Sequence, residues 1–136
     1  SKMGMNRAIV IYGSGGLDEA SLQGVNKLIF VENGNLRYSE IDILDFNYEN
    51  ISNENLVVND IDSNEKILQA VLNGTGEISH NYVVALNSAL VLWVAGLEDN
   101  LYQGFKKALF SIKQGTPWKT FLLLKNYLKN YCQFPF

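Results

Sequence analysis

Apolar positions along the chain change their spacing several times, and each change marks an element. Arg7-Ala-Ile-Val-Ile-Tyr12 is a continuous apolar run that stops at Gly13-Ser-Gly-Gly16. A short run bounded by glycines reads as a strand buried on both faces, of the kind found in parallel sheets. Lys27-Leu-Ile-Phe-Val31 and Leu36-Arg-Tyr-Ser-Glu-Ile41 are two further strand-like runs, separated by Glu32-Asn-Gly-Asn35. Asn-Gly between such runs is the strongest short-range hairpin signal, and a β-hairpin is expected over 27–41. Residues 42–61, rich in Asn, Asp and Glu, read as an excursion with little regular structure.

From there the spacing becomes helical. Asp62-Ser-Asn-Glu65 offers capping residues ahead of a helix that carries Ile67, Leu68, Val71 and Leu72 on one face. Gly74 and Gly76 end it. A second helix, from about Ser79 to Ala95, is apolar nearly all round and is expected to be buried on most sides, with Gly96 just past its end. A third runs from about Glu98 to Gln114 with Leu101, Phe105, Ala108, Leu109 and Ile112 at helical spacing. Its Lys106, Lys107 and Lys113 fall in the later turns, where the helix dipole favours cations. Thr116-Pro117 supplies a cap and a first-turn proline for a fourth helix reaching about Tyr131.

The expected class is α/β: a buried parallel-type strand plus a β-hairpin, packed with about four helices. A strand apolar on both faces needs neighbours on both sides. The chain does not obviously supply them. It therefore reads as the C-terminal portion of a larger α/β domain, or as a protein that completes its sheet by oligomerising.

Composition adds bounds. The 136 residues are 47% hydrophobic and 18% charged, which suits one globular domain. A single cysteine, Cys132, and a single histidine, His80, exclude a disulfide framework and multi-Cys or multi-His metal sites. A net charge of −3 weighs against a general nucleic-acid binder. The charge is uneven, with twelve acids and five bases in residues 1–80 against two acids and six bases in 81–136. Two solvated faces of opposite sign account for this, and so does a basic half approaching an acidic partner. No apolar stretch reaches the roughly 18 residues that cross a bilayer, and Ser1–Asn6 has no signal-peptide character. The expected setting is cytoplasmic and reduced.

The segment Gly13–Ser21 carries the candidate chemistry. It is no phosphate loop, since no lysine follows, and Asp18 stands where a dinucleotide fingerprint needs its third glycine. Open α/β sheets place ligands at the carboxyl ends of their strands, and glycines there let the backbone come close. The adjacent carboxylates of Asp18 and Glu19 suit Mg2+, a hard cation that takes one or two carboxylates together with phosphate oxygens and water. The plainer alternative is that Asp18 caps a helical turn and Glu19 is solvated. Elsewhere, His80 reads as a solvated helix-start residue, Trp93 as core, Trp118 as a packing anchor and Cys132 as an inert tail thiol. Asn87, inside an apolar helix, must satisfy its amide against neighbouring backbone. Tyr127, Tyr131, Phe134 and Phe136 form an aromatic tail that could drive association if exposed.

The stretch Arg7–Ser21 resembles the strand and Gly-Leu-Asp-Glu loop of the anthranilate phosphoribosyltransferase family. Gly24-Val-Asn-Lys27, Asp60-Ile-Asp-Ser-Asn64, Leu86-Asn-Ser-Ala89, Leu101-Tyr-Gln-Gly104 and Gly115-Thr-Pro-Trp118 follow in the family's order, so the likeness covers about residues 3–131. The resemblance implies transfer of phosphoribose from phosphoribosyl pyrophosphate to the amine of anthranilate, in tryptophan biosynthesis. It implies a small helical domain plus a larger α/β domain, usually as a homodimer. It also implies that Asp18 and Glu19 bind the Mg2+ that accompanies the pyrophosphate. The family's Gly-Thr-Gly-Gly-Asp and Lys-His-Gly-Asn segments do not occur here, and Val58 and Asn59 replace a pair of glycines. Residues 1–136 are thus expected to form one partial domain, inactive as a transferase alone, with no catalytic residue assigned and assembly as a dimer or swapped oligomer. A free-standing binding or regulatory module on the same fold is the competing expectation. Neither a membrane nor nucleic acid is an expected partner.

Overall fold

The computed structural model describes residues 2–48, 52–53, 56–57 and 60–131. The readings made of Cys132, Phe134, Phe136, Val58 and Asn59 fall outside these residues. Strands β1 (Arg7–Tyr12), β2 (Asn26–Glu32) and β3 (Asn35–Ile41) form a sheet in the order β1-β2-β3. The hairpin lies where the Asn-Gly signal placed it. Asn33 and Gly34 both take positive φ, 49° and 81°, as a type I′ turn requires, and Glu32 sits opposite Asn35.

The expected parallel strand needs correction. β1 pairs antiparallel with β2, with Arg7 opposite Glu32 and Tyr12 opposite Lys27. Among the described residues it is an edge strand. Ile9 and Ile11 pack against the core, while Val10 and Tyr12 stand exposed. An unbroken apolar run is compatible with either pairing. The sequence pattern that distinguishes antiparallel strands, polar residues on the outward face, is missing here.

Four helices complete the described fold: α1 (Ile61–Asn73), α2 (Ile78–Val94), α3 (Leu101–Lys113) and α4 (Thr116–Tyr131). A 3-10 turn at Ile43–Phe46, closed by reciprocal Asp42 and Asp45 capping bonds, inserts Ile43 and Phe46 into the core. This is regular structure where an irregular excursion was expected. α1 begins ahead of Asp62, because Asp60 caps it: its Oδ1 accepts from the Ser63 N–H at 2.7 Å. Asn100 caps α3 in the same way. Gly115 adopts φ 64° between α3 and α4, directly before the Thr116-Pro117 start.

The core lies between the sheet and the α2–α3 pair. Phe105 is wholly buried, its ring 5.0 Å from Tyr48, 5.6 Å from Phe46 and 5.7 Å from Tyr82. α2 and α3 approach closely at Gly104, where a Cβ would stand 3.3 Å from Ala89. α2 buries Leu86, Ala89, Leu90 and Trp93 but leaves Val91 66% exposed and Val84 at the surface. The helix expected to be buried on most sides thus keeps a bare apolar stripe. α4 packs along α1 and α3 and has no fully buried residue. No described helix is long and apolar enough to cross a membrane.

Candidate functional site

β1 delivers the chain to Gly13, and the turn that follows is tight. The Gly16 N–H donates to the Gly13 carbonyl at 3.0 Å, and the Gly13 N–H donates to the Leu17 carbonyl at 2.9 Å. A Cβ on Gly13 would run into the Glu19 carbonyl oxygen, so close backbone approach demands glycine there. Asp18 and Glu19 are both exposed, and neither carboxylate has a hydrogen bond or ion pair with the described residues. The next three residues, Ala20, Ser21 and Leu22, turn inward and are all but sealed from solvent. The acid pair is therefore suspended between a closed turn and a buried anchor.

Two asparagines hold that anchor. Asn26, wholly buried at the start of β2, accepts at Oδ1 from the Ser14 N–H at 3.1 Å and the Ser21 N–H at 2.7 Å. Its Nδ2 donates to the carbonyls of Ser21 at 2.9 Å and Ile41 at 3.3 Å. Asn87 on α2 accepts from the Ala20 N–H at 2.8 Å and donates to the Ala20 carbonyl at 3.0 Å. It also donates to the carbonyl of Val83, one turn earlier on its own helix, at 2.9 Å. The expectation that Asn87 satisfies its amide on backbone holds for Val83 and extends to Ala20. Asn26 carried no signal that would single it out, since a lone asparagine ahead of a strand resembles any turn residue.

A groove of about 810 Å³ opens between the acidic turn and the bare stripe of α2. Leu17 and Glu19 line one side, and Val84, Asn87, Ser88 and Val91 line the other. Asn53 and His80 also line it, and each has a buried polar atom without a partner among the described residues, Asn53 Oδ1 and His80 Nε2. The expectation that His80 is solvated is thus corrected: it sits at the start of α2 with its Nε2 out of water.

Among the described residues no three His, Cys, Asp or Glu side chains gather into a metal cluster. What the chain offers is two adjacent exposed carboxylates with no partner among the described residues, of which Glu19 lines the groove. That donor set fits Mg2+, which retains water and substrate oxygens around one or two protein carboxylates. Asp60, part of the segment Asp60–Asn64, has a different job. Its carboxylate is a helix cap, and the backbone hydrogen bond from Ser63 holds its pKa below the ordinary carboxylate value.

Comparison with known proteins places the chain. A family model described as glycosyl transferase family, a/b domain, matches residues 1–117. The chain belongs to that family. It is 74% identical over 128 residues to the anthranilate phosphoribosyltransferase of Prochlorococcus marinus (strain AS9601), covering 94% of this chain and 37% of that protein. It is 43% identical over 128 residues to the enzyme of the same name from Synechococcus sp. (strain CC9311), again over 37% of its length. The fold matches anthranilate phosphoribosyltransferase from Thermus thermophilus with a TM-score of 0.73 at 23% identity, covering 90% of this chain and 35% of that one. It matches the Saccharomyces cerevisiae enzyme in complex with PRPP and Mg with a TM-score of 0.71 at 23% identity, over 84% of this chain and 33% of that one. At these identities the solved structures speak for the fold. The chain spans a little over a third of the length of these relatives.

Proposed function

We propose that residues 1–136 are one C-terminal portion of the α/β domain of an anthranilate phosphoribosyltransferase, and that Asp18 and Glu19 are its Mg2+ ligands. The observation that carries this is the exposed, uncommitted acid pair in the turn after β1, with Glu19 lining the groove, in a chain 74% identical to enzymes of that name. The reaction joins the anthranilate amine nitrogen to the anomeric carbon of phosphoribosyl pyrophosphate. The bond from that carbon to pyrophosphate breaks, and the amine gives up a proton. Asp18 and Glu19 would hold Mg2+, which would supply positive charge against the departing pyrophosphate.

The chain's own part is positioning. Gly13 and Gly16 set the turn, Asn26 and Asn87 fix its far side, and Asp18 and Glu19 stay exposed. The chain alone has no transferase activity, because its sequence holds neither the Gly-Thr-Gly-Gly-Asp nor the Lys-His-Gly-Asn segment. The reading carries with it a cytoplasmic setting and assembly as a homodimer or swapped oligomer.

Titration of Mn2+ in the presence of inorganic pyrophosphate tests the ligand assignment. The double variant Asp18→Asn, Glu19→Gln should bind the ion far more weakly, by more than the about 10–100-fold typical of losing an outer partner. Equal binding by wild type and variant overturns it. Turnover by the 136-residue chain with both substrates and Mg2+ overturns the claim of inactivity.

A further inference from the structure

We infer that Asn87 is the positioning residue for the acid pair, the side chain that sets where Asp18 and Glu19 stand relative to the α2 wall of the groove. This rests on the reading of Asp18 and Glu19 as metal ligands.

Ala20 is the first fixed residue after Glu19, and it is 1% exposed. Its N–H and its carbonyl both pair with one side chain, Asn87. Without that partner, two backbone groups would lie unpaired away from water. The third bond, from Asn87 Nδ2 to the Val83 carbonyl, settles the orientation of the amide. Both Nδ2 protons face carbonyls and Oδ1 faces an N–H. A flipped amide would set donor against donor and acceptor against acceptor. The backbone of α2 is thereby coupled through one rigid amide to the peptide beside Glu19.

The two asparagines differ in what they control. Asn26 is wholly buried and ties together Ser14, Ser21 and Ile41. Losing it undoes the start of the hairpin. Asn87 is half-buried, lines the groove and, among the described residues, hydrogen-bonds outside its own helix only to Ala20. Its loss should therefore be read at the acids before it is read in the fold. Partners that orient a ligand without touching the metal typically change metal affinity about 10–100-fold.

The test compares wild type with Asn87→Leu, Asn87→Asp and the core variant Leu90→Ala. Mn2+ affinity is measured in the presence of inorganic pyrophosphate, with the Ala20 amide exchange rate and the melting temperature alongside. Asn87→Leu should weaken Mn2+ binding about tenfold or more and speed Ala20 exchange. Asn87→Asp keeps the acceptor for the Ala20 N–H but sets a carboxylate oxygen against the Ala20 and Val83 carbonyls, so it too should weaken Mn2+ binding and speed Ala20 exchange. It also serves if Asn87→Leu does not fold. Leu90→Ala should lower the melting temperature at least as far and leave Mn2+ affinity unchanged. If Asp18→Asn abolishes binding while both Asn87 variants bind like wild type, the positioning role is overturned and the metal reading stands. If wild type itself takes up no Mn2+ with pyrophosphate, the metal reading falls and this inference falls with it.

Discussion

Phe30 on β2 and Trp93 on α2 meet edge to face, with ring centroids 4.7 Å apart and planes at 77°. Each ring is capped by an arginine: Arg37 lies 4.0 Å from the Phe30 centroid and Arg7 4.9 Å from that of Trp93. The pair rivets the sheet to the helix that bears Asn87. Trp93→Ala should cost about 3–5 kcal/mol, a large share of the stability of an ordinary domain. Chemical denaturation reads it directly, and a loss below about 1 kcal/mol would show that the rivet is dispensable.

Arg7 gathers three elements. It donates to Glu32 at 3.0 Å, to Asp99 at 2.8 Å and to the Trp93 carbonyl at 3.1 Å. The hydrogen bond to Asp99, with a further one to Glu32, raises its pKa above an already high value. A raised base contributes stability at every pH below its ordinary value, so the guanidinium stays charged throughout the working range. Arg7→Met should lower the melting temperature, and added salt should shrink the difference, because the carboxylate partners are exposed. A salt-independent difference would assign the effect to packing on Trp93 instead.

Asp60 gives a pH signature. Its pKa is lowered by the Ser63 backbone bond, so its contribution is present above the ordinary carboxylate value and is lost as pH falls through the lowered one. Stability should decline across that acidic window. Asp60→Asn keeps a capping oxygen without the titration, and it should flatten this part of the profile. Acid melts of the two proteins that run parallel would rule out Asp60 as the source.

Gly13→Ala should be costly although one methyl is all it adds. The new carbon meets the Glu19 carbonyl oxygen, which is backbone and cannot swing aside. Overpacking of this kind costs about 1–3 kcal/mol. Because the displaced peptide bears Glu19, Mn2+ affinity should drop along with stability. Intact affinity in a destabilised variant would separate the turn from the ligand function.

Gly34→Val addresses the hairpin. Gly34 sits at φ 81°, where a side chain costs roughly 1–2 kcal/mol. Val25→Thr, a change at an exposed position outside the turn, serves as the baseline. Comparable losses at both sites in chemical denaturation would deny the turn its special role.

What could be read from the sequence was whatever local chemistry decides. Asn33-Gly34 specifies its turn because few other pairs accept two positive φ angles in succession. The start of α4 was legible to within a residue from Gly115-Thr-Pro117, although the helix takes in Thr116 rather than using it as a cap. The start of α1 was less legible, since Asp60 and Asp62 are chemically equivalent caps and only geometry selects the first. The pairing of β1 was hidden because its outward residues, Val10 and Tyr12, are as apolar as its inward ones. At the candidate site the acids announced themselves, but what holds them did not. Asn26 and Asn87 act on backbone groups, which leave no trace in residue type. His80 looked solvated from its polar neighbours, whereas the fold turns its Nε2 inward.

The clasp between Asn87 and Ala20 joins residues 67 positions apart. On a ribosome adding about 5–20 residues per second, Ala20 precedes its partner by roughly 3–13 seconds. The β2–β3 hairpin, closed by its own turn, needs only about 1–10 μs once its strands are free. A nascent chain therefore carries both carboxylates for seconds before Asn87 exists to pair with Ala20. The acidic turn is thus synthesised well ahead of the side chain that clasps it.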